Sequence, residues 1–284
     1  MKTKQHTLWL LAALSAPLAH YSGAGWLTAL LASAAVLPMS LIPKAWKGMP
    51  KPLAMVQMLW LGAVTGALLY ASAAYWPSDN DLVVPLTILA LAAFTDSMAA
   101  PRIGAVLALC IALLSIPAAV SGAARIETAW LHPELGEWPW ALTLVLLLPN
   151  LPAEGGNRRS SIYIGIAAVL LSALTQGTIS SNVASSVLDP FFQTARTLGY
   201  LEPIIAAAMT LGWYAMTVYL MESAKIIAAE SDVAQKWAAV FPIGTATGIV
   251  LLRVQPYTPY WSLLSLLLWV LAPLLTKIKK VKKS

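Results

Sequence analysis

The chain has 284 residues, 59% of them hydrophobic and only 11% charged, with a mean hydropathy of +0.73. Soluble domains carry roughly 25% charged residues, so this composition excludes an ordinary water-soluble protein and places most of the chain in lipid. The formal charge of +6 gathers in no patch suited to nucleic acid, and the single cysteine, Cys110, excludes an internal disulfide and a cysteine metal cluster.

Apolar runs near the length that a bilayer requires fall at residues 7–22, 25–43, 52–76, 82–100, 102–122, 138–152, 160–178, 203–222, 237–252 and 257–276. The first follows Met1-Lys2-Thr3-Lys4 and ends in small residues, as a signal peptide does. The next run begins only a few residues later, so the pair is read as a helical hairpin. Twelve Trp and nine Tyr suit interfacial belts. With the N-terminus in the cytoplasm, ten crossings put Lys2, Lys4, Lys44, Lys47, Lys51, Arg102, Arg158, Arg159, Lys225, Lys236 and the tail lysines Lys277, Lys279, Lys280, Lys282 and Lys283 inside. Only Arg125, Arg196 and Arg253 stay outside. The positive-inside rule thus predicts an all-α integral membrane protein of about ten spans, with both termini cytoplasmic.

Five spans per half make the sixth run opposite to the first, the arrangement of inverted-repeat transporters. Both of these equivalent spans are short and carry proline: Pro17 after Ser15 in the first, and Pro149, Asn150 and Pro152 in the sixth, beyond Thr143. Proline lacks the amide hydrogen and blocks helix continuation; in a membrane such breaks are tolerated where freed backbone groups face protein or a wet cavity. The expectation is a midplane site at two broken helices, with Ser15, Pro17, Thr143 and Asn150 at the breaks. His20, at the outer end of the first span, is read as interfacial.

Residues 185–200 are too polar to cross, yet Phe191, Phe192, Ala195, Leu198 and Leu201 recur at helical spacing, which predicts a helix lying in the interface. The span that follows carries Thr210, Trp213 and Thr217 on one stripe, with Tyr214 beside it. A threonine stripe can bind a carboxylate or an amine and an indole can cover it; the plainer alternative is threonines bonding back to their own helix. Gln57 and Thr65 share a face of the third span, and a glutamine in lipid demands a partner. Asp96, the one carboxylate well inside a predicted span, is read as a helix cap before Pro101. Glu222 and Lys225 are read as a solvated pair at the cytoplasmic end of the eighth span. His6, His20 and His132 are scattered, and no nucleophile elbow, phosphate loop or metal spacing occurs. The chain is therefore expected to be no enzyme and to need no metal or cofactor.

The stretch PFFQTARTLGYLEPIIAAAMTLGWYAM resembles the segment between spans seven and eight of the spore-germination receptor B subunits, of the amino acid–polyamine–organocation permease superfamily. The resemblance is carried by Pro190-Phe191, Arg196, Tyr200-Leu201-Glu202 and Leu211-Gly212-Trp213, with fewer residues between Arg196 and Glu202 than the family pattern has. LTILALAAFTDSMAAPRIGAVLALCIALLSIPAAVSG is similar to that family's fourth and fifth spans. The chain has shorter loops than a usual member and offers Ser15-Ala16-Pro17 where the first span would carry a glycine-rich break. The resemblance implies a 5+5 inverted-repeat amino-acid permease fold, with a small-molecule pocket between spans one, three, six and eight. It further implies a germinant, commonly an amino acid, as solute and two other receptor subunits as partners. Two other readings stay open: a ten-span drug/metabolite-type exporter, and a non-transporting membrane interaction subunit.

Overall fold

A computed structural model describes the chain except residues 1, 43, 77–79, 134, 136–137, 155–159, 181–182, 184–189, 197–200, 255–257 and 282–284. Among the described residues there are helices and turns but no strands. Helices α1 (Lys2–His20), α2 (Trp26–Val36), α3 (Lys51–Tyr70), α4 (Val83–Ala93), α5 (Ala100–Ala123), α6 (Trp140–Leu147) and α7 (Ser160–Ile179) come first. They are followed by α8 (Pro190–Arg196), α9 (Glu202–Glu230), α10 (Trp237–Val254), α11 (Pro259–Leu266) and α12 (Ala272–Val281). Alpha-helix is what such a sequence must form in lipid, because it satisfies every mid-segment amide within the segment itself. Five stretches are long and apolar enough to cross a membrane: Lys51–Tyr75, Ala100–Ala123, Ser160–Ile179, Glu202–Glu230 and Pro259–Lys279. Trp26–Leu41, Val83–Ala93 and Trp140–Asn150 are shorter apolar helices.

Helix α9 is the centre of the bundle. In its most apolar window 72% of the residues are buried, against 17% for α5, whose Val106, Leu109, Leu113, Ile116 and Val120 form an exposed apolar stripe. Such a stripe on a 24-residue helix is the lipid-facing side of a membrane bundle. Around α9 pack α1, α3, α4 and α5; α1 also packs on α5, α6 and α7, α2 on α6 and α7, and α11 on α6. The most extensive pairing joins α3 and α10. Gly62 faces Phe241 and Thr245, Gly66 faces Thr245, Gly244 faces Leu59 and Ala63, and Gly248 faces Ala63. Numbers rise together on both helices, so the two run parallel, each presenting a Gly-x-x-x-Gly pair that lets backbone meet backbone.

Several expectations on boundaries are corrected. Helix α1 runs unbroken through Ser15 and Pro17: the proline removes only the amide that would reach Ala13, and the helix resumes beyond it, with Tyr21 N–H reaching the Pro17 carbonyl at 3.0 Å. The sixth segment is not broken in mid-span either: α6 passes into a 3₁₀ turn, Leu148–Asn150, and leaves the helix at extended Leu151, near the end of the expected span. Helix α4 stops at Ala93, short of the expected span, and Asp96 lies exposed in the turn beyond it. Its backbone carbonyl accepts from Ala99 and Ala100, while α5 starts without a side-chain cap. Helix α9 continues past Glu222 to Glu230. Glu222 is therefore buried within a helix rather than solvated at its end, ion-paired to Lys225 and accepting a hydrogen bond from Ser97 at 2.8 Å.

The stretch expected to lie in the interface contains α8, tucked against α1, α7 and α9. Phe191 and Phe192 are buried as the periodicity requires, but so is Thr194, whose hydroxyl donates to the Pro190 carbonyl at 3.1 Å. Leu201 is buried too; Asp189, Leu198 and Tyr200 lie outside the described residues.

Candidate functional site

Five of the nine candidate residues fall in three polar neighbourhoods and one apolar groove. The first neighbourhood is an aromatic cluster where α1, α3, α8 and α9 meet. His20, expected at the interface, is instead buried; its Nδ1 lies 3.2 Å from the Tyr75 hydroxyl, and its ring packs edge-on to Tyr21, Tyr75 and Trp213. Tyr75 in turn meets Phe192. Trp213 is wholly buried, and its indole Nε1 has no partner among the described residues. Next to this cluster Thr210 accepts a hydrogen bond from the Trp76 indole at 2.7 Å. The aromatic run Tyr75-Trp76 after the third span was the sequence signal for it.

The second neighbourhood surrounds the turn that ends α6. Asn150 is buried; its Nδ2 donates to the Leu147 carbonyl at 2.8 Å, and its Oδ1 has no partner among the described residues. Tyr219 of α9 donates to the Leu148 carbonyl at 3.2 Å and stacks edge-on against Trp9 of α1. The Leu148 carbonyl already accepts from the Leu151 N–H at 3.0 Å; Pro152 has no amide to add, and Tyr219 is the second donor. The Trp9 Nε1 also has no partner among the described residues.

Third, Gln57 of α3 donates through Nε2 to the Leu268 carbonyl. Leu268 lies in a π turn, Leu267–Leu271, that joins α11 to α12; widening a helix by one residue displaces its carbonyls from the regular ladder, a feature frequent at functional sites. The buried Gln57 Oε1 has no partner among the described residues. The Trp60 indole donates to Ser265 at 2.9 Å on the same seam.

The candidate threonines take the plainer of their two options. Thr65 donates to Leu61, Thr143 to Pro139, Thr210 to Ala206 and Thr217 to Trp213, each a carbonyl four residues back at 2.8–3.1 Å. Ser15 likewise donates to Ala12 at 2.7 Å. Each hydroxyl oxygen keeps acceptor capacity. Thr65 and Thr217 are wholly buried, and Ser15 borders an apolar groove between α1, α5 and α7. Pro17 is buried in the last turn of α1. Among the described residues, no group of His, Cys, Asp and Glu could hold a metal ion.

Taken with the fold, these features define a helical membrane protein whose buried polar atoms lie at helix contacts rather than in an open cleft. No family model matches the chain, and no curated protein matches it.

Proposed function

We propose that the chain is a ten-span permease-like membrane protein that recognises a small polar solute, with an amino acid as the first candidate. The observation that carries the solute reading is the placement of orphaned polar atoms. The buried amide and indole groups without a partner among the described residues are those of Trp9, Gln57, Asn150, Trp213 and Trp269. Buried polar groups are nearly always hydrogen-bonded, and four of these five sit on the first, third, sixth and eighth spans. A guest reaching any one of these separate neighbourhoods would supply the missing partner there.

The inverted-repeat reading is supported by which helices pair. Advancing a span by five turns α1–α5 into α6–α11, α1–α7 into α6–α2, α3–α10 into α9–α4, and α3–α4 into α9–α10, all of which pack together. The pairs α1–α6, α2–α7 and α3–α9 map onto themselves and also pack. The extensive α1–α9 and α5–α9 contacts have no equally extensive counterparts, between α6 and α3 or between α11 and α3. The parallel α3–α10 pair fits an odd number of crossings between them. The resemblance of residues 190–216 to germination receptor B subunits supplies the setting: a membrane subunit working beside partner subunits. A second reading, a non-transporting interaction subunit, draws on the threonines, which already bond to their own helices.

A thermal-shift screen of the purified protein against amino acids and nucleosides tests the solute reading. The expected result is stabilisation by one compound, weakened at least tenfold in apparent affinity in Thr217→Val, which keeps shape but removes the hydroxyl oxygen. No response from a well-folded sample supports the interaction subunit instead. Topology has its own test in a Cys110→Ala background. A cysteine at Asn80 is expected to react with an impermeant maleimide from outside, and one at Lys47 only after permeabilisation. The reverse pattern at either position refutes ten crossings from a cytoplasmic N-terminus.

A further inference from the structure

We propose that the groove between α1, α5 and α7 is a binding site for one acyl chain of an anionic phospholipid, whose headgroup is held by Lys4 and Arg102. The inference rests on the membrane placement of the bundle and not on the solute reading. The groove measures about 580 Å³ and is bordered along α1 from Leu8 to Ala19. At 1.5 Å per residue that is about 16 Å of helix, close to half of a hydrocarbon core of about 30 Å, so its length suits a single leaflet. Its walls are small or apolar, chiefly Ala12, Ala108 and Ala112 below Leu171 and Phe191. Alanines on facing helices leave a slot between them rather than a filled seam.

What selects the occupant is charge at one end. Trp9 of α1 lies against Gly104 of α5, and Ala12 packs in the same small cluster as Ala108 and Ile111. Numbers again rise together, so the two helices are parallel and their N-termini lie at the same end of the groove. Continuing the α1 face one turn back from Leu8 reaches Lys4; continuing the α5 face back from Ala105 reaches Arg102. Both bases are exposed. Two cations on the two walls at one mouth complement a phosphate, and the apolar slot leading away from them complements a fatty tail. Guanidinium suits phosphate by its paired donors, and each base near an anionic membrane surface adds electrostatic attraction.

Native mass spectrometry of the full chain, released from neutral detergent after exposure to phosphatidylglycerol or phosphatidylcholine, tests this. The expected result is one retained phosphatidylglycerol per chain and at least fivefold less phosphatidylcholine. Lys4→Gln with Arg102→Gln is expected to abolish that preference. Ala112→Phe, at an exposed position on the groove wall, is expected to displace the lipid while the melting temperature without lipid stays unchanged. Glycerol 3-phosphate, which has the head without the tail, is expected not to bind. Equal retention of the two lipids, or undiminished phosphatidylglycerol in Ala112→Phe, overturns the site. Binding of glycerol 3-phosphate as tightly as the lipid overturns the acyl-chain part in favour of a phosphate site.

Discussion

Gly248→Ala is expected to destabilise the purified protein by at least about 3 kcal/mol, above the range of ordinary core overpacking. In isolation the change favours the helix, since alanine exceeds glycine in helix propensity by about 1 kcal/mol. Against that stands the packing of α10 on α3. A methyl group on Gly248 would fall inside the contact distance of the Ala63 backbone carbonyl, and one on Gly244 or Gly66 would meet the Leu59 or Thr245 carbonyl in the same way. Backbone cannot rotate aside as a side chain can, so the two helices must separate along the longest seam in the bundle. Without a hydrophobic driving force between helices in lipid, close van der Waals packing is what holds such a seam. Gly122→Ala on α5 supplies the comparison: its new Cβ would meet the Leu174 Cδ1 at 3.1 Å, the free end of a side chain that can turn away. That variant is expected to melt within a few degrees of the parent. Melting followed by size-exclusion chromatography in detergent separates the two, and a Gly248→Ala protein as stable as Gly122→Ala would mean that the seam is not tight.

Those glycines also show where sequence reasoning stopped. Both Gly-x-x-x-Gly pairs can be read from the chain, but nothing in a one-dimensional pattern says that helices some 180 residues apart in sequence face each other. The apolar runs placed a helix at every expected span because lipid leaves the backbone no other economical conformation. Ends were less legible. A proline removes one amide and does not by itself end a helix; α1 continues three residues beyond Pro17. In the sixth segment Pro149, Asn150 and Pro152 stand where the helix ends rather than where it breaks in mid-span, and Leu151 is extended. The end of α9 was placed at Glu222 because a charge in an apolar run usually marks water. Glu222 and Lys225, three residues apart, instead neutralise each other on one face, and the helix goes on for two more turns. The threonine stripe was legible as a pattern, but the partner of each hydroxyl depends on what another helix presents to it. Where nothing suitable faces it, the carbonyl four residues back is always in reach.

Trp213 is the residue on which structural support and solute recognition can be told apart. Trp213→Ala removes a wholly buried indole from the contact of α9 with His20 of α1, and truncations of this size cost about 3–5 kcal/mol. Such a loss would occur under either reading of function. Trp213→Phe is the discriminating change. It keeps an aromatic ring beside His20 and deletes the Nε1–H that has no partner. A buried donor without an acceptor costs about 1–3 kcal/mol, so its removal offsets most of the packing lost with the second ring, and the variant is expected to melt within a few degrees of the parent. If a solute accepts that N–H when it binds, Trp213→Phe will retain the fold and lose most of the ligand-induced rise in melting temperature. A scaffold with no guest predicts no ligand response in either protein. Retention of the full ligand response in Trp213→Phe would remove the indole from the site and shift recognition towards Asn150 and Gln57, whose free carbonyl oxygens would then have to receive the guest's donors.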